Sequence, residues 1–169
     1  MLAAVSGLGE DDVNKDVRPG QFVKVYFDAC CLSRLTDDQA QPRIREEAEA
    51  IERILTQVRL GLVNLISSEA LEDEARRNPS MERRLEVEAL LSLAAHTVEV
   101  DDEVTQRARD LGAAGYGLFD ALHLAAAELA GADVLLSTDD RLIKLAARGV
   151  GTPRIPVRNP VSWSKEQGL

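Results

Sequence analysis

The sequence is poor in the residues that build most metal and redox centres, with two cysteines and two histidines in 169 residues. Cys30 and Cys31 are adjacent, an arrangement that rarely gives an unstrained disulfide, and no CxxC or paired-histidine pattern accompanies them. A zinc centre is therefore not expected, and both thiols are expected to be reduced and buried beside a strand. Aromatic residues make up only 4% of the chain, too few for a row of base-stacking platforms, so Tyr116 and Trp163 read as packing residues. No apolar run approaches the ~20 residues of a membrane span. The opening MLAAVSGLGEDDV has neither a basic leader nor a sustained apolar core, so the expected location is the cytoplasm. Basic residues are the minority as well. Twenty Lys and Arg against 29 Asp and Glu leave a net charge of -9, which disfavours sequence-blind attraction to nucleic acid.

The rest of the composition, 45% hydrophobic and 29% charged, is that of an ordinary globular chain long enough for one domain with a real core. Residues 1–21 are polar and carry Gly7, Gly9, Pro19 and Gly20, which predicts a flexible N-terminal extension before a domain over 22–169. Phe22 to Phe27 is apolar except for Lys24 and predicts a strand covered on both faces. Further strands are expected at Leu62 to Ile66, Val98 to Val100, Val134 to Leu136 and Ile155 to Val157.

Helical periodicity lies between them. Pro42 opens a long helix with Ile44, Ala48, Ile51, Leu55 and Val58 on one face. Leu85, Ala89, Leu90 and Leu93 form the expected buried stripe of another, and Leu118, Leu122, Ala125 and Leu129 that of a third. This alternation predicts an α/β domain, three-layer α/β/α with a mostly parallel central sheet.

Acidic residues sit at the ends of these strands. Asp28 follows the first, Glu69 to Glu74 the second, and Asp139 and Asp140 the fourth, while Asp120 begins the helix leading into that fourth strand. Each of Asp120, Asp139 and Asp140 has an ordinary explanation as a helix cap or first-turn acid. Their recurrence is what carries weight, because crossovers of one hand bring strand ends to a common edge, the usual place for a ligand in an open sheet. Clustered carboxylates repel unless a cation joins them. An all-oxygen site suits Mg²⁺ or Mn²⁺ with retained waters and substrate phosphate oxygens, which makes hydrolysis of a nucleic-acid backbone the natural chemistry. Two such ions would offset four of the nine net negative charges.

The segments VYFDACCLSR, SSEALEDEARRNP, GLFDALHLAAA, VLLSTDDRLIKLA and NPVSW, in this order, resemble the PIN-domain nucleases, among them toxin ribonucleases of bacterial toxin-antitoxin pairs. The resemblance spans Phe22 to Trp163. It implies a metal-dependent endoribonuclease, with Asp28 as the first metal ligand, Asp120 as the third acid and Asp140, two residues after Thr138, as the fourth. Asp139 is a close rival to Asp140. Glu74, six residues after Ser68, matches the second acid, with Glu72 and Glu69 as alternates, while Thr138 and Ser33 offer hydroxyls to a ligand or water. Where many members carry Ser or Thr followed by Asn or Ser after the first acid, this chain has Ala29 and Cys30, which removes a polar neighbour of that acid. The partners implied are an RNA substrate, an antitoxin protein and a second copy of the chain.

Arg34, Arg76, Arg77, Arg83, Arg84, Arg141 and Lys144 are candidate phosphate contacts, although solvated helix faces with ion pairs explain them equally well. His123, one turn from Asp120, reads first as a packed neutral imidazole. The alternative function is a catalytically silent PIN-like module that binds RNA or protein.

Overall fold

The computed structural model describes residues 22–169, and the extension expected over residues 1–21 lies outside them. Five strands, β1 (Val23–Phe27), β2 (Val63–Ser68), β3 (His96–Val98), β4 (Val134–Leu136) and β5 (Val157–Arg158), form one sheet in the order β3-β2-β1-β4-β5. Every neighbouring pair is parallel. Parallel neighbours need crossovers, and helices supply them. Helices α1 (Ala29–Ser33) and α2 (Pro42–Arg59) join β1 to β2, and α3 (Glu69–Arg76) and α4 (Met81–Leu91) join β2 to β3. Helices α5 (Asp102–Ala114) and α6 (Leu118–Leu129) lead to β4, α7 (Asp140–Ala147) leads to β5, and α8 (Pro160–Glu166) follows it. The expected α/β/α architecture is present, with a sheet that is parallel throughout.

The core runs along the middle strands. Val25, Tyr26 and Phe27 of β1, Leu65 of β2 and Leu135 and Leu136 of β4 have no exposed surface, as strands covered on both faces require. The chain first builds outward from β1 through β2 and β3, then returns across the sheet to lay β4 on the other side of β1. That reversal makes a switch point beyond the carboxyl ends of β1 and β4, the place where open α/β sheets take their ligands. The β1–β4 ladder extends into it, because the Asp28 amide donates to the Leu136 carbonyl at 3.0 Å.

Three expectations need correction. β3 covers His96–Val98, two residues before the expected strand: it pairs with Ile66 to Ser68 of β2, and the Val100 amide, taken by the Glu69 carboxylate at 2.8 Å, cannot continue the ladder. β5 begins at Val157 because Pro156 has no N–H to offer, although its carbonyl accepts from Leu135 at 3.0 Å. The buried helix faces also differ. In α4, Leu85 is 59% exposed and Leu91 is the buried residue; in α6, Leu118 is 76% exposed. Helix α6 packs against α5 on one side and against α3 and the sheet on the other, so its small residues Ala121, Ala125, Ala126 and Ala127 face inward with Leu124. Helix α8, not expected from the sequence, starts at an Asn159 cap followed by Pro160, a pairing suited to a first turn, and packs on α2.

Gly151 follows the loop after α7 with φ of +69°, and a Cβ there would lie 3.1 Å from Leu111 and 3.2 Å from Ala114. Gly151→Ala is therefore expected to destabilise the fold by roughly 1–2 kcal/mol from the left-handed backbone alone, with crowding adding to it. Chemical denaturation checks this, and an unchanged midpoint would show that the loop relaxes freely.

Candidate functional site

Asp28 stands at the carboxyl end of β1, beside the end of β4. It ends β1 in extended backbone and caps α1, its Oδ1 accepting from the Cys31 amide at 2.9 Å. The side chain is buried, and desolvation first, then the adjacent Cys30, pushes its carboxyl well above the usual carboxylate range. Cys30 Sγ lies 2.9 Å from Asp28 Oδ1 and accepts from Thr138 Oγ1 at 3.1 Å. The polar neighbour that the Ala29-Cys30 pair seemed to remove is thus supplied by the Cys30 thiol, which ties β1 to the turn after β4. Cys31 is buried as expected and donates to the Leu136 carbonyl, whereas Cys30 is only partly buried.

The turn after β4 presents Ser137, Thr138, Asp139 and Asp140. Asp139 caps α7, accepting from the Arg141 amide at 2.8 Å and the Leu142 amide at 3.3 Å, and its own amide donates to Ser137 Oγ. Asp140 points elsewhere. Its two carboxylate oxygens accept from Arg43 at 2.8 and 2.9 Å on an exposed face, and this guanidinium holds its carboxyl below the usual range. Arg43 also reaches the Thr138 carbonyl at 3.2 Å.

Asp120 lies in the first turn of α6, half-buried. Its carboxyl is pushed up by burial and then by the charge of Asp139, with Cys30 adding to the rise and His123 and Arg141 opposing it. The acid that Asp120 senses is therefore Asp139, while Asp140 is tied to Arg43. Glu74, near the end of α3, meets His123 Nε2 at 2.6 Å. It also lines a cleft of about 230 Å³ with Ala29, Ser33, Arg77, Asn78 and Arg83.

The other glutamates of α3 face away: Glu69 binds the Val100 amide, and Glu72 lines a separate cleft between α3 and α4. Ser33 Oγ donates to the Ala29 carbonyl within α1. Several candidate phosphate contacts are engaged, Arg34 with Asp37 and Glu47, Arg83 with Asp37, and Arg77 with Asp73 while also lying 5.6 Å over the Phe119 ring. Cys30 and Arg43 are the residues sequence reasoning missed. A thiol in place of the expected polar residue was the one available signal for Cys30; nothing local in the sequence pointed to Arg43.

A wholly parallel α/β/α sheet whose strand order reverses at β1 puts Asp28 and the turn bearing Asp139 at its switch point, where open α/β sheets commonly take ligands. Residues 25–148 match the PIN domain, and the chain belongs to that family, which is a family of nucleases. No curated protein matches it. Among solved structures it is similar to VapBC2 from Rickettsia felis bound to a DNA fragment from their promoter, at 13% identity, covering 80% of this chain and 98% of that one, with a TM-score of 0.50. It is similar to DNA-bound VapBC from Salmonella typhimurium, at 17% identity over 82% and 99% of the two chains with a TM-score of 0.53. PAE2754 from Pyrobaculum aerophilum follows at 16% identity over 86% and 90%, with a TM-score of 0.52. At these identities the likeness is one of fold. Among the described residues no helix is long and apolar enough to cross a membrane.

Proposed function

We propose that this protein is a Mg²⁺- or Mn²⁺-dependent endoribonuclease that hydrolyses RNA phosphodiester bonds and acts as the toxin of a toxin-antitoxin pair. The observation that carries the proposal is the placement of Asp28 at the carboxyl end of β1, with Cys30 Sγ 2.9 Å from it and 3.1 Å from Thr138 in the turn after β4, the turn whose Asp139 helps to raise the carboxyl of Asp120. Among the described residues, no three His, Cys, Asp or Glu side chains form a ready cation cage. The donor set still fits a hard ion, since Mg²⁺ is commonly held by one or two carboxylates with waters and substrate phosphates completing the shell.

In this reading Asp28 and Asp120 hold the ion, Asp139 is the nearer fourth acid, and Asp140 clamps the turn through Arg43. The ion would supply Lewis acidity and charge neutralisation at the phosphodiester. Cys30, itself held by Thr138, and the Cys31 amide fix the Asp28 carboxylate, and the cleft beside Glu74, with Arg77 exposed on its rim, offers room for the RNA backbone. The resemblance to toxin ribonucleases, with the fold shared with the VapBC structures, supports an antitoxin partner, and self-association is what the family resemblance implies.

The test is cleavage of an RNA panel with Mg²⁺ or Mn²⁺ by wild type and Asp120→Asn. Equal cleavage by both would assign the activity to a contaminant. Calorimetry showing no divalent-ion binding, with partner binding retained, would favour a silent binding module. Growth arrest on expression that persists in Asp120→Asn would remove the toxin role.

The two adjacent acids can be separated. Asp139→Asn keeps the α7 cap, because Asn caps as well as Asp, but removes the charge beside Asp120. It is expected to lower cleavage by about 10- to 100-fold, the usual loss for a residue that supports a metal site. Asp140→Asn is expected to cost less. The reverse order in single-turnover rates would restore Asp140 as the fourth acid.

A further inference from the structure

A line of buried hydrogen bonds ends on Glu74, and its direction can be read from donor and acceptor counts. Ser68, the cap of α3, has no exposed surface, and its Oγ accepts from the Leu71 amide at 3.1 Å. Its other partner among the described residues is the Tyr26 hydroxyl at 2.6 Å, so the serine proton points to the tyrosine oxygen. Tyr26 is buried, and desolvation pushes its phenol far up, so it keeps its proton. That proton then has one place to go, His123 Nδ1 at 2.9 Å. A ring nitrogen that accepts carries no hydrogen, which leaves the imidazole proton on Nε2, facing Glu74 at 2.6 Å. The reverse direction would leave the buried Ser68 proton without an acceptor, a loss on the scale of an unmade buried hydrogen bond. The ring is also clamped by Tyr26 and Phe119, with centroids at 5.7 and 6.1 Å.

We infer that His123 is a positioning residue: the one-way chain from the Leu71 amide through Ser68 and Tyr26 fixes its proton on Nε2, where it holds the Glu74 carboxylate at the site. The chain starts at the first turn of α3 and returns to the last turn of the same helix by way of β1 and α6. The end of α3 carrying the acid is thereby locked to the helix carrying Asp120. The inference rests on reading Glu74 as one of the site acids.

Nitrogen-15 NMR of the full-length protein near neutral pH reads the proton's position directly. The chain has only two histidines, His96 and His123, and a His96→Gln variant assigns the signals. The expected pattern for His123 is a bare Nδ1 and a protonated Nε2; a protonated Nδ1 overturns the inference. In Tyr26→Phe the preference should weaken to a mixture of tautomers, and an unchanged spectrum would also overturn it.

The positional role is read by calorimetric Mn²⁺ affinity. His123→Leu is expected to weaken binding about 10- to 100-fold, the usual range for a partner that orients a site ligand. His123→Gln, which retains a donor near the Nε2 position, is expected to recover most of the loss. If Glu74→Gln weakens Mn²⁺ binding and His123→Leu does not, the positioning role fails while the site reading stands. If Glu74→Gln has no effect either, Glu74 is not a site acid and both fail.

Discussion

Asp28→Asn is expected to lower cation-dependent RNA cleavage about a thousandfold while leaving the cation-free protein at least as stable as wild type. The first half follows from several kcal/mol of charge stabilisation supplied through a metal site, at about 1.4 kcal/mol per tenfold in rate. The second half follows from burial. Asp28 is almost wholly enclosed, and its carboxyl is harder to ionise in the folded protein than in the unfolded chain. Such a group supports folding fully below its unfolded pKa, about 4, and loses that support as pH rises through its raised folded value. At neutral pH, where the unfolded chain ionises more readily than the folded one, this carboxyl therefore opposes folding, whereas the Asn oxygen still accepts from the Cys31 amide and has no proton to lose.

The measurements are single-turnover cleavage and thermal melts in EDTA and in Mg²⁺. In EDTA the support that Asp28 and Asp120 give to folding should fade as pH rises from about 4, against the opposite trend of Cys30, whose thiol is lowered to about 5, and Asp28→Asn should remove its own share of that loss. Saturating Mg²⁺ at 100 times its dissociation constant should stabilise wild type by roughly 2.7 kcal/mol and the variant hardly at all. A variant that melts lower in EDTA yet cleaves like wild type would mean that Asp28 is a structural cap only.

The sequence showed the sheet clearly and the site in outline, for different physical reasons. β1 was legible because a strand buried on both faces has to be apolar almost throughout, and Asp28 stood out as the abrupt end of that run. The cap at Asp139 was legible because capping is a local exchange between one side chain and the next turn. The face of α6 was not. A helix packed on two sides shows no single stripe, and its spacing pointed to Leu118, the residue the fold leaves most open. The two acids after Thr138 differ only in which way the turn aims them, and that is decided by Arg43, 97 residues earlier in the chain. The partner of His123 was hidden likewise, because Glu74 is 49 residues away and the two meet only where α3 crosses α6.

Glu47→Ala is expected to be among the most damaging single changes to stability outside the apolar core. Glu47 is a charged residue of α2 with only 2% of its side chain exposed, and it is satisfied by Arg34 at 2.7 Å, Arg43 at 2.9 Å and Asn159 at 3.0 Å. Removing one member of a buried ionic cluster leaves its partners desolvated without compensation, at a cost of about 3–5 kcal/mol. For a chain of this size, at roughly 2–4 °C per kcal/mol, the melting temperature should fall by roughly 6–20 °C. Asp140→Ala is the control: it removes the exposed partner of the same Arg43 but leaves Arg34 and Glu47 paired, so its melting temperature should stay near wild type. A larger loss from Asp140→Ala than from Glu47→Ala would place the anchor at the surface. The consequence for the site follows from geometry. Arg43 holds both the Thr138 carbonyl and Asp140, so once Glu47 no longer fixes it the turn bearing Asp139 loosens, and cleavage should fall even at temperatures where the variant remains folded.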